Sequence, residues 1–180
     1  MGTKSVRFCG FGGQGVVLAS VVLGEAIVKG HGLHAAQTQS YGSEARGGAC
    51  QAELLFSDSP ILTPIRTLSD ILVALFQTAY NTYRERVVPA GLVIVDRDLA
   101  PDVRSDGVDL RRVPATETAV SHGSRMAANM VMLGYLQAAA GIVTRESLAQ
   151  AITDNAPRRF LDINLKALDA GISLAKEGIR

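Results

Sequence analysis

The sequence predicts a three-layer α/β/α fold built around a mixed, mostly parallel central sheet. Three observations carry that prediction. A glycine-rich turn, Gly10-Phe-Gly12-Gly13-Gln14-Gly15, follows an alternating segment and opens into a long apolar one, in the order strand, turn, helix. Two continuous apolar runs, Asp70-Ile-Leu-Val-Ala-Leu75 and Gly91-Leu-Val-Ile-Val-Asp96, read as strands buried on both faces. Segments of helical periodicity alternate with the strands, except between the second and third, where no crossover helix fits and an antiparallel strand is expected.

Taken in order, strand one is expected over Ser5–Cys9 and the first helix over Gly15–Lys29, with Gly30 and Gly32 ending it. Strand two covers Leu33–Thr38, and a polar loop runs from Gln39 to Gly48. Strand three covers Ala49–Phe56, where Gln51 and Glu53 mark a less buried side. Ser57-Asp-Ser-Pro60 and Pro64 then break the chain before strand 70–75, a helix over Gln77–Val87 and strand 91–96. A short strand, Asp109–Val113, leads to Pro114 at a helix start, a position proline tolerates. Met126, Met130, Leu133 and Leu136 recur at helical spacing within Ser124–Ala140. Thr144 is suited to N-cap the next helix, and a last helix runs over Asn164–Lys176. Neither linker, repeat nor low-complexity tract interrupts residues 1–180, so one domain with a full core is expected.

Composition excludes several function classes. Apolar residues make up 47% of the chain, enough to cover both faces of a sheet and leave surface for a partner. Eighteen basic and 17 acidic residues give a net charge of +1, without a basic block, which argues against nucleic acid. Lys4 and Arg7 precede a strand-like segment rather than the apolar core of a signal peptide, and Glu25 and Lys29 interrupt the apolar stretch after the glycine turn. A cytoplasmic protein without a membrane span is expected. Cys9 and Cys50 form no C-x-x-C pair and are too few for an iron–sulfur cluster; they read as buried thiols in a reducing compartment. His31, His34 and His122 lack metal-ligand spacing, so no metal site is expected. Catalytic triads and paired carboxylates are equally missing, and no catalytic residue is assigned.

The sequence points to binding. Gly10, Gly12 and Gly15 have the G-x-G-x-x-G spacing of a Rossmann-like start. Glycine permits the backbone reversal and lets an anion approach the N–H groups of the helix start. Gly10, Gly12, Gly13, Gln14 and Gly15 are therefore candidate ligand contacts, the alternative being a turn that only lets helix and strand pack closely. Ordinary NAD or NADP binding lacks its second anchor, because Gly32–Gln39 holds no Asp or Glu. A second candidate is the loop Gln39–Gly48. Arg46, flanked by Gly47 and Gly48, has the donor fork for a phosphate or carboxylate, and Tyr41 offers a hydroxyl or a stacking face. A solvated loop with an internal Glu44–Arg46 contact is the plain alternative. If strands one and two are parallel neighbours, both loops share the carboxyl edge of the sheet, where open α/β folds bind ligands. Asn129, a lone amide in an apolar helix, either braces a loop or ligand or lies on the surface.

Four stretches together resemble the gamma subunit of 2-oxoacid:ferredoxin oxidoreductases: Gly10-Phe-Gly-Gly-Gln-Gly15, Ser40-Tyr-Gly-Ser-Glu-Ala-Arg-Gly-Gly48, Phe56-Ser-Asp-Ser-Pro-Ile61 and Ala128-Asn-Met-Val-Met-Leu-Gly134. The family loop often has Pro where Ser43 stands. The resemblance implies oxidative decarboxylation of a 2-oxoacid, with coenzyme A as cosubstrate and ferredoxin taking the electrons. It implies thiamine diphosphate and 4Fe–4S clusters in partner subunits, an isolated chain without activity, and a role here in forming the CoA region. The short, cluster-free chain looks most like the 2-oxoglutarate type, and a homodimer is compatible with its apolar surplus. Two other readings stay open: a free-standing nucleotide-binding oxidoreductase, and a domain whose glycine loops bind only protein.

Overall fold

The structure, a computed structural model, describes residues 2–41 and 49–179. In chain order the elements are β1 (Lys4–Phe11), α1 (Val16–His31), β2 (His34–Tyr41), β3 (Ala49–Ser57), β4 (Ser69–Ala74), α2 (Gln77–Tyr83), β5 (Val87–Asp96), β6 (Asp109–Val113), α3 (Ala115–Ser121), α4 (Ala128–Ala140), α5 (Arg145–Asn155) and α6 (Leu161–Lys176). The strands form one six-stranded sheet in the order β2-β3-β1-β4-β5-β6. β1, β4, β5 and β6 are mutually parallel, and β3 runs antiparallel to both β1 and β2. The mixed sheet expected from the missing crossover is therefore present.

Alternation along the strands divides the core. Val6, Phe8, Leu54 and Phe56 turn to one face, where α1 and α3 to α6 cover them. Cys9, Leu72, Ala74, Val93 and Val95 turn to the other, against Ala79 and Tyr80 of α2. Among the described residues the outer layers are unequal: five helices on one side, one short helix on the other. α4 and α6 pack almost backbone to backbone, since a Cβ on Gly134 would come within 2.0 Å of the Leu168 carbonyl oxygen.

Five expectations need correction. Strands one and two are not neighbours; β3 lies between them. The physical reason is burial. β3 carries Ala52, Leu54, Leu55 and Phe56, all buried, whereas β2 carries Gln37, Thr38, Gln39 and Ser40, which suit an edge. Gly30 lies inside α1, where Ser147 of α5 packs against it; Gly32 alone caps the helix, with φ 64° and its N–H donating to the Val28 carbonyl. The helix after β4 ends at Tyr83, because Arg84–Arg86 tightens into a 3-10 turn and β5 begins at Val87. The helix expected over Ser124–Ala140 begins only at Ala128, because Arg125–Ala127 forms another 3-10 turn, and Met126 within it is 67% exposed. Glu53 is also more buried than its charge suggests. Its carboxylate accepts from Arg7 Nη2 at 2.9 Å and Ser69 Oγ at 3.2 Å, and the Arg7 guanidinium stacks on Tyr83.

Candidate functional site

The sheet has one topological switch point. From β1 the chain leaves through α1 towards β2; from the adjacent β4 it leaves through α2 towards β5. Helices α1 and α2 cover opposite faces, so the two connections diverge and open a crevice at the carboxyl ends of β1 and β4. Open α/β sheets bind ligands in such crevices. The glycine turn forms one side of it. Gln14 N–H donates to the Phe11 carbonyl at 3.1 Å across the turn, and Gly13, with φ 92°, takes the position that favours glycine. Phe11 meets Phe76 edge-on, centroids 4.2 Å apart, and joins the two strand ends. The residues alone gave no sign of this aromatic bridge, because strands one and four lie far apart in sequence.

The five residues singled out in the turn divide into two groups. Gly12 and Gly13 are exposed, and a Cβ at either would meet nothing within 4 Å. They form a bare lip. Gly10, Gln14 and Gly15 form the base behind it. Gln14 folds back: its Oε1 accepts from Phe11 N–H at 2.6 Å and its Nε2 donates to the Leu75 carbonyl at 3.0 Å. That amide is occupied within the protein, and it lies against Gly10, where a Cβ would come within 2.6 Å of Gln14 Oε1. Gly15, with φ 70°, is the N-cap of α1. It supplies no side-chain cap, and the first turn of α1 has no acidic residue, so the positive end of the helix dipole faces the lip uncompensated by these groups.

Asn129 is buried, and its partner is this turn. Its Nδ2 donates to the Gly15 carbonyl at 3.1 Å, and its Oδ1 accepts from Met130 N–H at 3.0 Å. Of the two readings of this amide, the brace is the one observed.

The strand ends that flank the second candidate loop lie at the same edge. Gly10 pairs with Cys50 and Phe11 with Ala49, while Tyr41 pairs with Cys50 from the other side. The hairpin between β2 and β3 therefore starts and ends level with the glycine turn, with β3 in between. Residues 42–48, and so Arg46, Gly47 and Gly48, lie outside the described residues, as does the side chain of Tyr41.

The other groups at this edge are structural. Asp96, at the end of β5, accepts from the N–H and hydroxyl of Thr116 at 3.1 and 2.5 Å and from Asp98 N–H at 3.1 Å, tying β5 to the start of α3. Burial raises its carboxyl pKa above the ordinary value, and the hydrogen bonds from Thr116 and Asp98 oppose that rise. Cys9 is buried and its thiol is pushed far up by desolvation, so it offers no thiolate. Cys50 is also buried. Among the described residues, no group of three His, Cys, Asp or Glu side chains is placed to hold a metal ion, and no helix is long and apolar enough to cross a membrane.

This arrangement matches known proteins over almost its whole length. Residues 5–174 match the family described as pyruvate ferredoxin/flavodoxin oxidoreductase. The chain belongs to that family. Subunit KorC of 2-oxoglutarate synthase from Methanothermobacter thermautotrophicus is 45% identical, over 98% of this chain and 97% of that one. The crystal structure of the gamma subunit of keto/oxoacid ferredoxin oxidoreductase from Geobacter sulfurreducens superimposes with a TM-score of 0.90, at 34% identity over the full length of both chains. A 2-oxoglutarate:ferredoxin oxidoreductase from Magnetococcus marinus, whose structure holds 2-oxoglutarate, coenzyme A and succinyl-CoA, shares the fold with a TM-score of 0.87. Its identity is 24%, over 98% of this chain and 32% of that one. As a gamma-type member of the family, the chain is a subunit of a 2-oxoacid:ferredoxin oxidoreductase, an enzyme of several subunits.

Proposed function

We propose that this subunit supplies the coenzyme A edge of an oxidoreductase acting on 2-oxoglutarate. The observation that carries the reading is the exposed Gly12–Gly13 lip in front of an uncapped α1 start, at the switch point of the sheet. Coenzyme A carries phosphates, and a helix N-terminus reached through glycine is suited to them: N–H donors point outward and the dipole favours negative charge. Gly12, Gly13 and the first N–H groups of α1 make the contact, while Gly10 and Gln14 shape the turn from behind. The loop that closes the β2–β3 hairpin works from the same edge. Arg46 grips a second anionic group, Gly47 and Gly48 let the ligand approach the backbone, and Tyr41 stands at the loop's root.

The reaction joins a 2-oxoacid and coenzyme A to give acyl-CoA and carbon dioxide, with the electrons passing to ferredoxin. Thiamine diphosphate and 4Fe–4S clusters belong to the partner subunits, in keeping with the two isolated cysteines here. The 2-oxoglutarate assignment draws on the 2-oxoglutarate synthase relatives. The chain forms one domain, works in the cytoplasm and is inactive alone; a homodimer in isolation is its fallback assembly.

The test is Gly12→Val in the assembled complex. The added Cβ enters open space at a position without left-handed strain, so the fold should be retained. The KM for coenzyme A should rise about tenfold or more, as expected when several charge-assisted hydrogen bonds are obstructed. Arg46→Ala should raise it as well. Unchanged KM values for coenzyme A in both variants, with assembly intact, overturn the reading.

A further inference from the structure

We infer that Asn129 is a positioning residue for the coenzyme A turn, acting from α4 through Gly15 without touching the ligand. The inference rests on the function proposed above and adds to it the element that holds the turn in shape.

Two amides fix the base of the turn, and they do different things. Gln14 ties it down into the sheet, to Phe11 N–H and the Leu75 carbonyl. Asn129 ties it sideways to the helical layer, through the Gly15 carbonyl. That carbonyl also accepts Ala19 N–H at 2.9 Å, the first hydrogen bond of α1. One carbonyl thus joins the turn, the first turn of α1 and the beginning of α4. The geometry leaves little slack. A Cβ on Gly15 would lie 2.2 Å from Asn129 Nδ2 and 2.9 Å from its Cγ, so the amide occupies the space a side chain would need. The residue is 3% exposed. Its orientation is set as well, because Oδ1 is held by Met130 N–H and Nδ2 is thereby presented to Gly15.

The consequence concerns direction. Gly15 holds φ 70° and ψ 24°, and those dihedrals aim the N–H groups at the start of α1. Without the Asn129 hydrogen bond, a glycine there has a wide choice of backbone conformations. At the lip, a Cβ on Gly12 or Gly13 would meet nothing within 4 Å, so open space rather than packing surrounds the turn there. Donors that are not pre-aimed bind an anion more weakly, because the ordering is charged against the binding step. Binding of coenzyme A therefore depends on Asn129, although no atom of Asn129 contacts it.

The experiment uses the assembled oxidoreductase with Asn129→Ser, Asn129→Asp, Gly12→Val and the double variant Gly12→Val/Asn129→Ser. Steady-state kinetics are run with coenzyme A and with 2-oxoglutarate varied separately. Asn129→Ser should raise the KM for coenzyme A by about three- to tenfold, the worth of one hydrogen bond, with the KM for 2-oxoglutarate and kcat held. Asn129→Asp should raise it further, since it sets a carboxylate against the Gly15 carbonyl. In the double variant the two effects on this KM should fail to multiply, as they do when two sites act on one element. A rise in both KM values with a fall in kcat, or loss of assembly in both Asn129 variants, marks a structural role only and overturns the inference. A rise with Gly12→Val but none with either Asn129 variant overturns it while leaving the function reading intact. No rise with any of these variants overturns the inference, and it overturns the function reading as well when Arg46→Ala also leaves this KM unchanged.

Discussion

At the scale of the residue, Asp96 shows how a polar group at the carboxyl edge of the sheet can serve the fold. It is fully buried at the end of β5, yet three donors converge on it. Burial is the largest influence and raises its pKa, with the hydrogen bonds opposing. The sign of the pH effect follows. Between the ordinary carboxylate range and the raised value, the folded chain binds more proton than the unfolded chain. Stability from this group is therefore fullest in acid, falls as pH rises through the raised value, and is level above it. Denaturant titrations across pH, comparing the chain with Asp96→Asn, should show the native residue's relative advantage largest in acid and shrinking upward. A difference that stays constant with pH would remove the linkage. The glycine spacing revealed the turn, but which of its glycines stay open to solvent depends on Gln14, whose amide turns inward to the Leu75 carbonyl, a contact across 61 residues. Asn129 was conspicuous as a lone amide among apolar neighbours; its partner, 114 residues away, was not.

At the scale of the element, the α4–α6 pair is the tightest joint in the molecule's helical layer. Gly171 faces Val131 as Gly134 faces Leu168: a Cβ on Gly171 would come within 2.0 Å of the Val131 carbonyl oxygen. Backbone cannot yield as a flexible side chain can. Gly171→Ala should therefore cost about 2–3 kcal/mol or more, and lower the Tm by roughly 5–10 °C in a domain of this size. Gly12→Ala, where the added methyl meets open space, should change the Tm by less than about 2 °C. Equal shifts at the two positions, measured by thermal unfolding, would contradict the packing argument. Because α4 carries Asn129, loosening this joint should also loosen the turn. Elements with local signals were legible. The last strand was expected over 109–113 and found there, and Thr144 caps α5 by accepting from Ser147 N–H. What local signals could not show is pairing across the sheet. The hairpin of β2 and β3 could have docked on β1 by either arm, and only the greater apolar content of β3 puts that arm inside. Arg7 and Glu53 become a buried pair for the same reason, since the register Arg7↔Glu53 exists only once β3 is inserted.

At the scale of the whole molecule, the two edges of the sheet carry different kinds of surface. The carboxyl edge holds the glycine turn. The opposite edge carries the connection from β3 to β4, whose base is fastened by Arg66 to the Thr3 carbonyl at 2.8 Å and to Asp70 at 2.9 Å. Above that base, Leu62 is 93% and Ile65 76% exposed. Anchored apolar side chains facing water are costly for a lone protein and expected for one built to be covered. The surplus of apolar residues in the composition is spent partly here. In an enzyme of several subunits, the natural cover is another subunit of the same assembly. Leu62→Glu/Ile65→Glu should leave the chain's own Tm within about 2 °C, because these side chains are mostly exposed. Recovery of partner subunits in a pull-down should fall sharply. The complexes that still form should keep the KM for coenzyme A, because the turn lies at the far edge of the sheet. Undiminished recovery would show that the partners dock elsewhere, and a raised KM in the surviving complexes would show that the two edges are not independent.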